Sequence, residues 1–286
     1  MKNELLAQKD ALRKLIRMAI EEDIGAGDVT TAGALTGDET GVAGAVAKTD
    51  TVIAGIDVFK ETFLFVDPDI KFTAYTDDGM NVKRGDVIAE VQGRLAAILM
   101  AERTALNLFQ RMCGIATMTR RLVDAVKGTN VKIIHTRKTA PGLRIFDTYA
   151  VRAGGGYSHR FGLFDGVLIK ENHIAAAGSI ATAVKNVRRR MPITLKIEVE
   201  VENLREVEAA LQAGADAIMF DNMTIEEIKE AVKLVGGRVS LEASGNITLA
   251  NVKDVAATGV NYISSGALTH SVTAADISLR VECPGR

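Results

Sequence analysis

Between residues 132 and 170 the chain places Lys132, Arg137, Lys138, Arg144, Arg152, Arg160 and Lys170, with His135 and His159 among them. Only Asp147 and Asp165 oppose them, so seven cations face two anions within 39 residues. Such a surplus suits a small polyanion, because guanidinium forks bind carboxylate and phosphate oxygens two at a time. The cations fall in glycine-punctuated segments, Thr136-Arg-Lys-Thr-Ala-Pro-Gly-Leu-Arg144 and Gly154-Gly-Gly-Tyr-Ser-His-Arg160. Three consecutive glycines would leave backbone N–H groups open to an anion. A solvated basic face is the plainer reading of any charge cluster. Arg188-Arg-Arg190 is such a case, closing a helical pattern before Pro192, where positive charge suits a helix C-terminus.

A second pattern supplies carboxylates. In Thr194 to Glu202 the residues alternate strictly, with Leu195, Ile197, Val199 and Val201 on one face and Lys196, Glu198, Glu200 and Glu202 on the other. Val239 to Ser244 repeats it, setting Val239, Leu241 and Ala243 against Ser240, Glu242 and Ser244. Strands covered on both sides of a parallel sheet normally read as continuously apolar. If helices cover the apolar face here, the charged face points into a barrel, where charge must pair or serve a site. An exposed antiparallel edge strand is the alternative. Two such strands, with Lys170 and Asp221 ending their neighbours, favour a site at the strands' C-terminal ends. Ser244-Gly-Asn246 and Ser264-Ser-Gly266 follow the last strands and precede helical patterns, as phosphate-binding loops do.

The elements that must hold these residues have two textures that meet near residue 114. The N-terminal part opens with apolar residues at helical spacing, Leu5, Leu12, Leu15, Ile16, Ala19 and Ile20. Gly44 to Lys48 and Ile70 to Tyr75 read as short strands. Residues 79–93 read as a hairpin that resembles those of lipoyl and biotinyl carriers, but without a modifiable lysine in the turn. Leu95 to Lys127 is helical in pattern, and Gly114 is expected to divide it into two helices. Beyond it, strands are predicted at Val131–His135, Gly166–Lys170, Ile193–Val201, Asp216–Phe220, Val239–Ser244 and Asn261–Ser264, with helices between, as at Asn203–Ala213 and Thr224–Val235. This α/β alternation points first to a parallel βα barrel, incomplete at six strands, and second to an open doubly wound sheet.

Composition bounds the function. Lys and Arg total 35 against 36 Asp and Glu, a formal charge of -1, which removes the surplus expected of a nucleic-acid binder. Hydrophobic residues make up 47 % and charged residues 25 %, as in ordinary folded proteins. Cys113 and Cys283 give neither a disulfide framework nor a metal pattern, so a reducing, cytoplasmic setting is expected. No signal-peptide core or membrane-length apolar run occurs, and the Cys283-Pro-Gly-Arg tail has the wrong residues for prenylation.

At its motifs the chain resembles quinolinate phosphoribosyltransferase, also called nicotinate-nucleotide pyrophosphorylase (carboxylating). The matching segments are Glu22 to Thr31, Glu102 to Asn107, Gly114 to Thr117, Thr136 to Thr139 with Pro141 and Gly142, and Tyr149 to Arg152. Gly154 to Gly156, His159-Arg160, Leu168 to Ile174, Glu198 to Glu200, Asp221-Asn222 and Ser244 to Asn246 complete the set. The resemblance spans nearly the whole chain in order. It implies an N-terminal α/β sandwich domain, residues 1–113, and a seven-stranded parallel βα-barrel catalytic domain, residues 114–286, whose C-terminal segment could pack back on the first. It also implies a homodimer with active sites at the subunit interface.

The implied reaction joins quinolinate to phosphoribosyl pyrophosphate with Mg²⁺, giving nicotinate mononucleotide, pyrophosphate and CO₂. By resemblance, Arg103 from the partner subunit, Arg137, His159, Arg160 and Lys170 hold quinolinate. Thr136 joins that substrate-binding set. Lys138, Glu200 and Asp221 face the phosphoribosyl donor and its metal, and Ser244, Gly245, Asn246, Ser265 and Gly266 take its 5′-phosphate. Lys138, Lys170, Glu200 and Asp221 are the expected catalytic set, and Glu200 and Asp221 the expected metal residues, directly or indirectly. Cys113 stands where serine is common, and His135 where aspartate often precedes Thr-Arg-Lys; neither carries an assigned role. Two alternatives remain open: a transferase for another acceptor, such as nicotinate, and a non-enzymatic phosphometabolite-binding protein. No nucleic acid or membrane partner is expected.

Overall fold

The structure is a computed structural model that describes residues 9–282. The chain begins with α1 (Lys9–Ile24), α2 (Val29–Ala34), β1 (Thr40–Ala47), β2 (Thr51–Val52), α3 (Ile56–Val66), β3 (Lys71–Ala74), β4 (Asn81–Val82) and β5 (Val87–Arg94). It continues through α4 (Leu95–Ala125), β6 (Lys132–Ile134), α5 (Arg144–Ala153), β7 (Val167–Ile169), α6 (Glu171–Ala177), α7 (Ile180–Arg190), β8 (Ile197–Val201) and α8 (Leu204–Gln212). It ends with β9 (Ala217–Asp221), α9 (Ile225–Val235), β10 (Ser240–Ser244), α10 (Val252–Ala256), β11 (Tyr262–Ser264), α11 (Ala267–His270) and β12 (Ile277–Glu282). These form two compact units, one of residues 9–118, 140–155 and 272–282, the other of 119–139 and 156–271.

In the first unit an antiparallel sheet runs β12-β1-β5-β3, and β2 pairs with β4. Alternate residues Ala43, Ala45 and Ala47 of β1 are buried against Phe59 and Phe63 of α3 and Ala97, Ala101, Ala105 and Phe109 of α4. Phe59 is the hub, meeting Phe63 edge-on at 5.1 Å and stacking on Phe109 at 4.7 Å. The helical stripe on α1 is borne out at Leu12, Ile16 and Ile20, all buried; Leu5 and Cys283 lie outside the described residues.

Two local expectations are corrected here. Gly114 does not break the helix, because α4 is continuous over 31 residues. A Cβ at Gly114 would collide with the Thr273 carbonyl, so the glycine admits another backbone rather than ending its own. Nor do residues 79–93 form a hairpin: β4 pairs with β2, and β5 pairs with β1 and β3. The turn at Gly85 and Asp86 exists, but Gly85 N–H donates to Ala47, which draws the two strands to different partners.

The second unit is a parallel sheet in the order β6-β11-β10-β9-β8-β7. All six predicted strands are present. A seventh rung is a single parallel bridge from Tyr157 to Ile134 of β6, with the Tyr157 N–H donating to Ile133 at 2.8 Å. That rung is too short to leave a periodic trace in the sequence. Strands β7 to β11 add on one side in chain order, and β6 follows β11, as in a closing barrel and unlike a doubly wound sheet. No ladder among the described residues joins Tyr157 to β7, so the βα barrel is incomplete there.

Strand β8 lies between β7 and β9, and β10 between β9 and β11, so neither is an edge strand. Ile197, Val199 and Val201 are buried outward beneath α7 and α8, while Glu198 and Glu200 sit half-buried on the inner face. Helix ends are set by local chemistry. Ser179 caps α7, Asn203 caps α8, Thr224 and Glu227 form a capping box on α9, and Gly236 closes α9 in the left-handed region. Arg188, near the end of α7, pairs with Asp216 at 2.7 Å. No helix among the described residues is long and apolar enough to cross a membrane.

Candidate active site

The parallel register delivers the polar residues to one end of the second unit. Asp221 and Ser244 are direct neighbours at the ends of β9 and β10, and Ser264 neighbours Ile134 at the ends of β11 and β6. Lys170 follows β7 directly, and Glu200 sits one residue from the end of β8. These strand ends enclose a cavity of about 190 Å³, which Thr136, Arg137, Lys138, His159, Arg160, Lys170, Glu200, Asp221 and Ser244 all line. His135, Leu168, Met219, Glu242 and Ser264 complete the wall.

The basic stretch is therefore divided. Arg137, Lys138, Arg160 and Lys170 reach the cavity, whereas Arg144 and Arg152 lie on α5 in the first unit. Lys132 sits at the start of β6, over the Tyr157 ring at 4.9 Å. Two of the three glycine amides are used within the chain: Gly154 N–H donates to Ala150 and Gly155 N–H to Arg152, closing α5. Arg103 is exposed on α4 of the first unit and is not among the residues of this cavity wall.

Within the cavity, Lys170 Nζ meets Glu200 Oε2 in an ion pair. Burial of the Arg160 guanidinium lowers its pKa, and the nearby charge of Arg137 lowers it further, against Glu198, Asp165 and Glu200. Two cations crowded into a small space are poised for an anion that relieves both. Arg160 Nη1 donates to the Gly166 carbonyl at 3.1 Å, and the Arg160 N–H donates to His159 Nδ1 at 2.7 Å. Asp165 holds the same loop by accepting the Phe161 and Gly162 N–H groups at 2.7 and 2.8 Å. Burial opposes the Asp165 charge, but those amides keep its carboxyl below the usual range.

His159 is fully engaged inside the protein. Its Nε2 lies 3.0 Å from Glu198 Oε2 and 3.5 Å from Glu242 Oε2, while Nδ1 takes the Arg160 amide. His135 is almost fully buried, with Nδ1 3.3 Å from the Thr136 carbonyl oxygen.

The expected phosphate loops stand beside the cavity. Asn222 and Asn246 both adopt left-handed backbone, and the Asn246 side-chain amide donates to Asn222 Oδ1 at 3.0 Å. Gly245, at φ 94°, leaves no room for a Cβ against Asn222. Non-glycine residues in this conformation are concentrated at functional sites. Ser265 N–H donates to Ile134, and a Cβ on Gly266 would press on the Lys138 stem at 3.0 Å. Gly245, Asn246, Ser265 and Gly266 thus border the cavity without lining it.

Leu168 and Met219, in the middles of β7 and β9, line the cavity but were not singled out as site residues, because apolar residues inside predicted strands read as core.

Residues 28–113 match the N-terminal domain, and residues 115–280 the C-terminal domain, of the family described as quinolinate phosphoribosyl transferase. The chain belongs to the quinolinate phosphoribosyltransferase family. It is 47 % identical over 270 residues to a probable nicotinate-nucleotide pyrophosphorylase (carboxylating) of Bacillus subtilis, spanning 94 % of this chain and 93 % of that one. It is 43 % identical to a mitochondrial quinolinate phosphoribosyltransferase (decarboxylating) of Nicotiana tabacum, over 95 % of this chain and 82 % of that one. Among solved structures, the nicotinate-nucleotide pyrophosphorylase of Francisella tularensis superposes with a TM-score of 0.90 at 40 % identity, covering 96 % of both chains. That of Ehrlichia chaffeensis gives 0.91 at 40 % identity, covering 94 % of this chain and 98 % of the other.

Proposed function

We propose that this chain is a decarboxylating quinolinate phosphoribosyltransferase of NAD biosynthesis. It joins quinolinate to phosphoribosyl pyrophosphate and gives nicotinate mononucleotide, pyrophosphate and CO₂. The observation that carries this reading is the convergence of Arg137, Lys138, Arg160 and Lys170 with Glu200 and Asp221 on one cavity in a chain of this family. Quinolinate brings two carboxylates, and the donor brings a phosphate and a pyrophosphate, so the anionic load matches the cations.

The chemistry asks for positioning and electrostatics rather than a covalent nucleophile. The pyridine nitrogen attacks the anomeric carbon as its bond to pyrophosphate breaks. Positive charge builds on the ribose ring, where Glu200 and Asp221 stabilise it. Loss of CO₂ then leaves an electron pair beside the pyridinium nitrogen, which stabilises it until a proton arrives. Arg137, Arg160 and Lys170 hold the acceptor carboxylates. Lys138 faces the pyrophosphate, and the loops at 244–246 and 265–266 face the 5′-phosphate.

Mg²⁺ belongs to this proposal. Glu200 and Asp221 present hard carboxylate oxygens to the same cavity, a donor set that fits this cation. Bound there with the donor, it would neutralise pyrophosphate charge. A homodimer in which Arg103 completes the partner's acceptor site is also proposed; exposure of Arg103 on α4 is compatible with it. A cytoplasmic setting is proposed on the same terms, supported by the bacterial relative and by Cys113, whose burial pushes its thiol up and leaves it inert.

The test is to incubate the folded protein with phosphoribosyl pyrophosphate, Mg²⁺ and either quinolinate or nicotinate. Nicotinate mononucleotide is expected from quinolinate alone. Product from nicotinate at an equal rate would favour the other acceptor, and none from either would remove the enzyme reading.

A further inference from the structure

Glu242 has no role in the chemistry above, yet among the described residues of the second unit it is the one buried carboxyl. It projects from the middle of β10 and is 2 % exposed. Its Oε2, a Glu198 carboxylate oxygen and His159 Nε2 lie within 4.8 Å of one another. A second cavity, about 530 Å³, opens at the other end of the strands, beside Thr194, Ser240 and Tyr262. His159, Arg160 and Glu242 line both cavities and so form the partition between them. A buried carboxyl at such a partition is expensive, the more so because Glu242 Oε1 has no hydrogen-bond partner.

The hydrogen-bond directions define that use. The Arg160 N–H points at His159 Nδ1, so Nδ1 must carry a lone pair and the ring proton sits on Nε2. That proton is donated to Glu198 Oε2. Two carboxylates this close in a buried place do not both ionise. Burial first, and the charge of Glu198 second, push Glu242 up to about 8 against the opposing pull of His159 and the Ser264 hydroxyl. Glu242 is then the carboxylic acid of the pair, a neutral group at pH 7 able to donate to Glu198. Two bonds are set, His159 Nε2–H to Glu198 and Arg160 N–H to His159 Nδ1, and Glu242 closes on them with Oε2 3.5 Å from the same Nε2 while its Oε1 stays buried without a hydrogen-bond partner.

We propose that Glu242 is a positioning residue for the acceptor site, holding Glu198 and the His159 ring so that Nδ1 fixes the Arg160 backbone and aims its guanidinium at a substrate carboxylate. This rests on the acceptor-site reading given above. His159 thereby works through Arg160. The charged groups facing the network are Glu198 from β8, His159 and Arg160 from the segment before β7, and beyond Arg160 its neighbours Arg137, Asp165 and Glu200. Burial resists charge on His159, but its hydrogen bond to Glu198 raises its affinity for a second proton, and Glu242 adds to this only when it is ionised. That proton could go only to Nδ1, where it would break the Arg160 bond.

Glu242→Leu and Glu242→Gln separate the possibilities. Removing the donor with Leu is expected to raise the quinolinate KM by about tenfold, the scale of one lost hydrogen bond to a charged group, with kcat and the donor KM little changed. Gln keeps a neutral donor, so it should restore the quinolinate KM at pH 7. The wild type is expected to show a rise in that KM as pH passes about 8, and Gln should abolish it. If Leu fails to fold, the Gln pH profile decides alone. An alkaline rise unchanged in Gln, or equal increases in both KM values in Leu, would overturn the proposal. Nitrogen NMR of His159 reads it without turnover: an Nε2–H ring is expected, and an Nδ1–H ring contradicts it. Because that spectrum needs no product, it stands apart from any failure of the proposed reaction.

Discussion

Asp147 in the first unit and Glu242 in the second are both buried carboxyls, 0 % and 2 % exposed, and they are handled in opposite ways. Asp147 accepts both arms of the Arg111 fork at 2.8 Å and the Ala140 N–H at 3.2 Å. Its charge is matched by a fixed cation inside the same unit. Glu242 meets another carboxylate and an imidazole instead. The first unit settles its electrostatics internally, as structure requires. The second leaves cations facing a cavity and a carboxyl that must keep its proton, a tension with value only if a ligand or a reaction uses it.

Asp147→Ala would break the settled pair and take away the acceptor of both arms of the Arg111 fork. A loss of about 3–5 kcal/mol is expected by denaturant unfolding; a loss below 1 kcal/mol would remove the contrast. Arg160→Ala should do the reverse. It removes one of two crowded cations, so melting temperature should hold or rise, while kcat/KM for quinolinate falls on the order of a hundredfold, as for a lost charge-assisted fork. Normal saturation by quinolinate in that variant would contradict the site. Arg111→Lys keeps charge but not the fork, and should cost about 1–2 kcal/mol without changing either KM. The last effect is on stability in Glu242→Gln, and it depends on pH. The folded pKa of Glu242 is raised, so its contribution is complete below the ordinary carboxyl value of 4.5 and is lost as pH rises through about 8. Unfolding curves from pH 5 to 9 should therefore fall less steeply for the Gln variant than for the wild type.

How much was legible beforehand follows the same division. The alternation at Lys196 to Glu202 announced an inward charged face, because a period of two survives in a single sequence and names both faces. Lys170, Asp221 and Ser244 were legible as strand ends for the same reason. The basic stretch was legible only as composition: that Arg144 and Arg152 belong to α5 depends on tertiary contacts such as Arg111 with Asp147. Gly114 and Gly154 to Gly156 were misread because glycine signals permission, and the sequence does not say whether a helix end, a close backbone or a ligand uses it. The Tyr157 rung rests on one bridge and has no period at all. His159 is the sharpest case. The family resemblance makes it a substrate ligand, whereas the hydrogen-bond directions in the structure engage both of its nitrogens within the protein.

The central claim is that one cavity in the second unit binds a pyridine dicarboxylate and couples phosphoribosyl transfer to loss of one carboxylate. Quinolinate carrying ¹³C in the carboxylate beside the ring nitrogen tests it directly, in the presence of Mg²⁺ and with and without phosphoribosyl pyrophosphate. Labelled CO₂ and unlabelled nicotinate mononucleotide should appear in equal amounts and only with the donor present. Labelled CO₂ without the donor, or a mononucleotide that keeps the label, would contradict it.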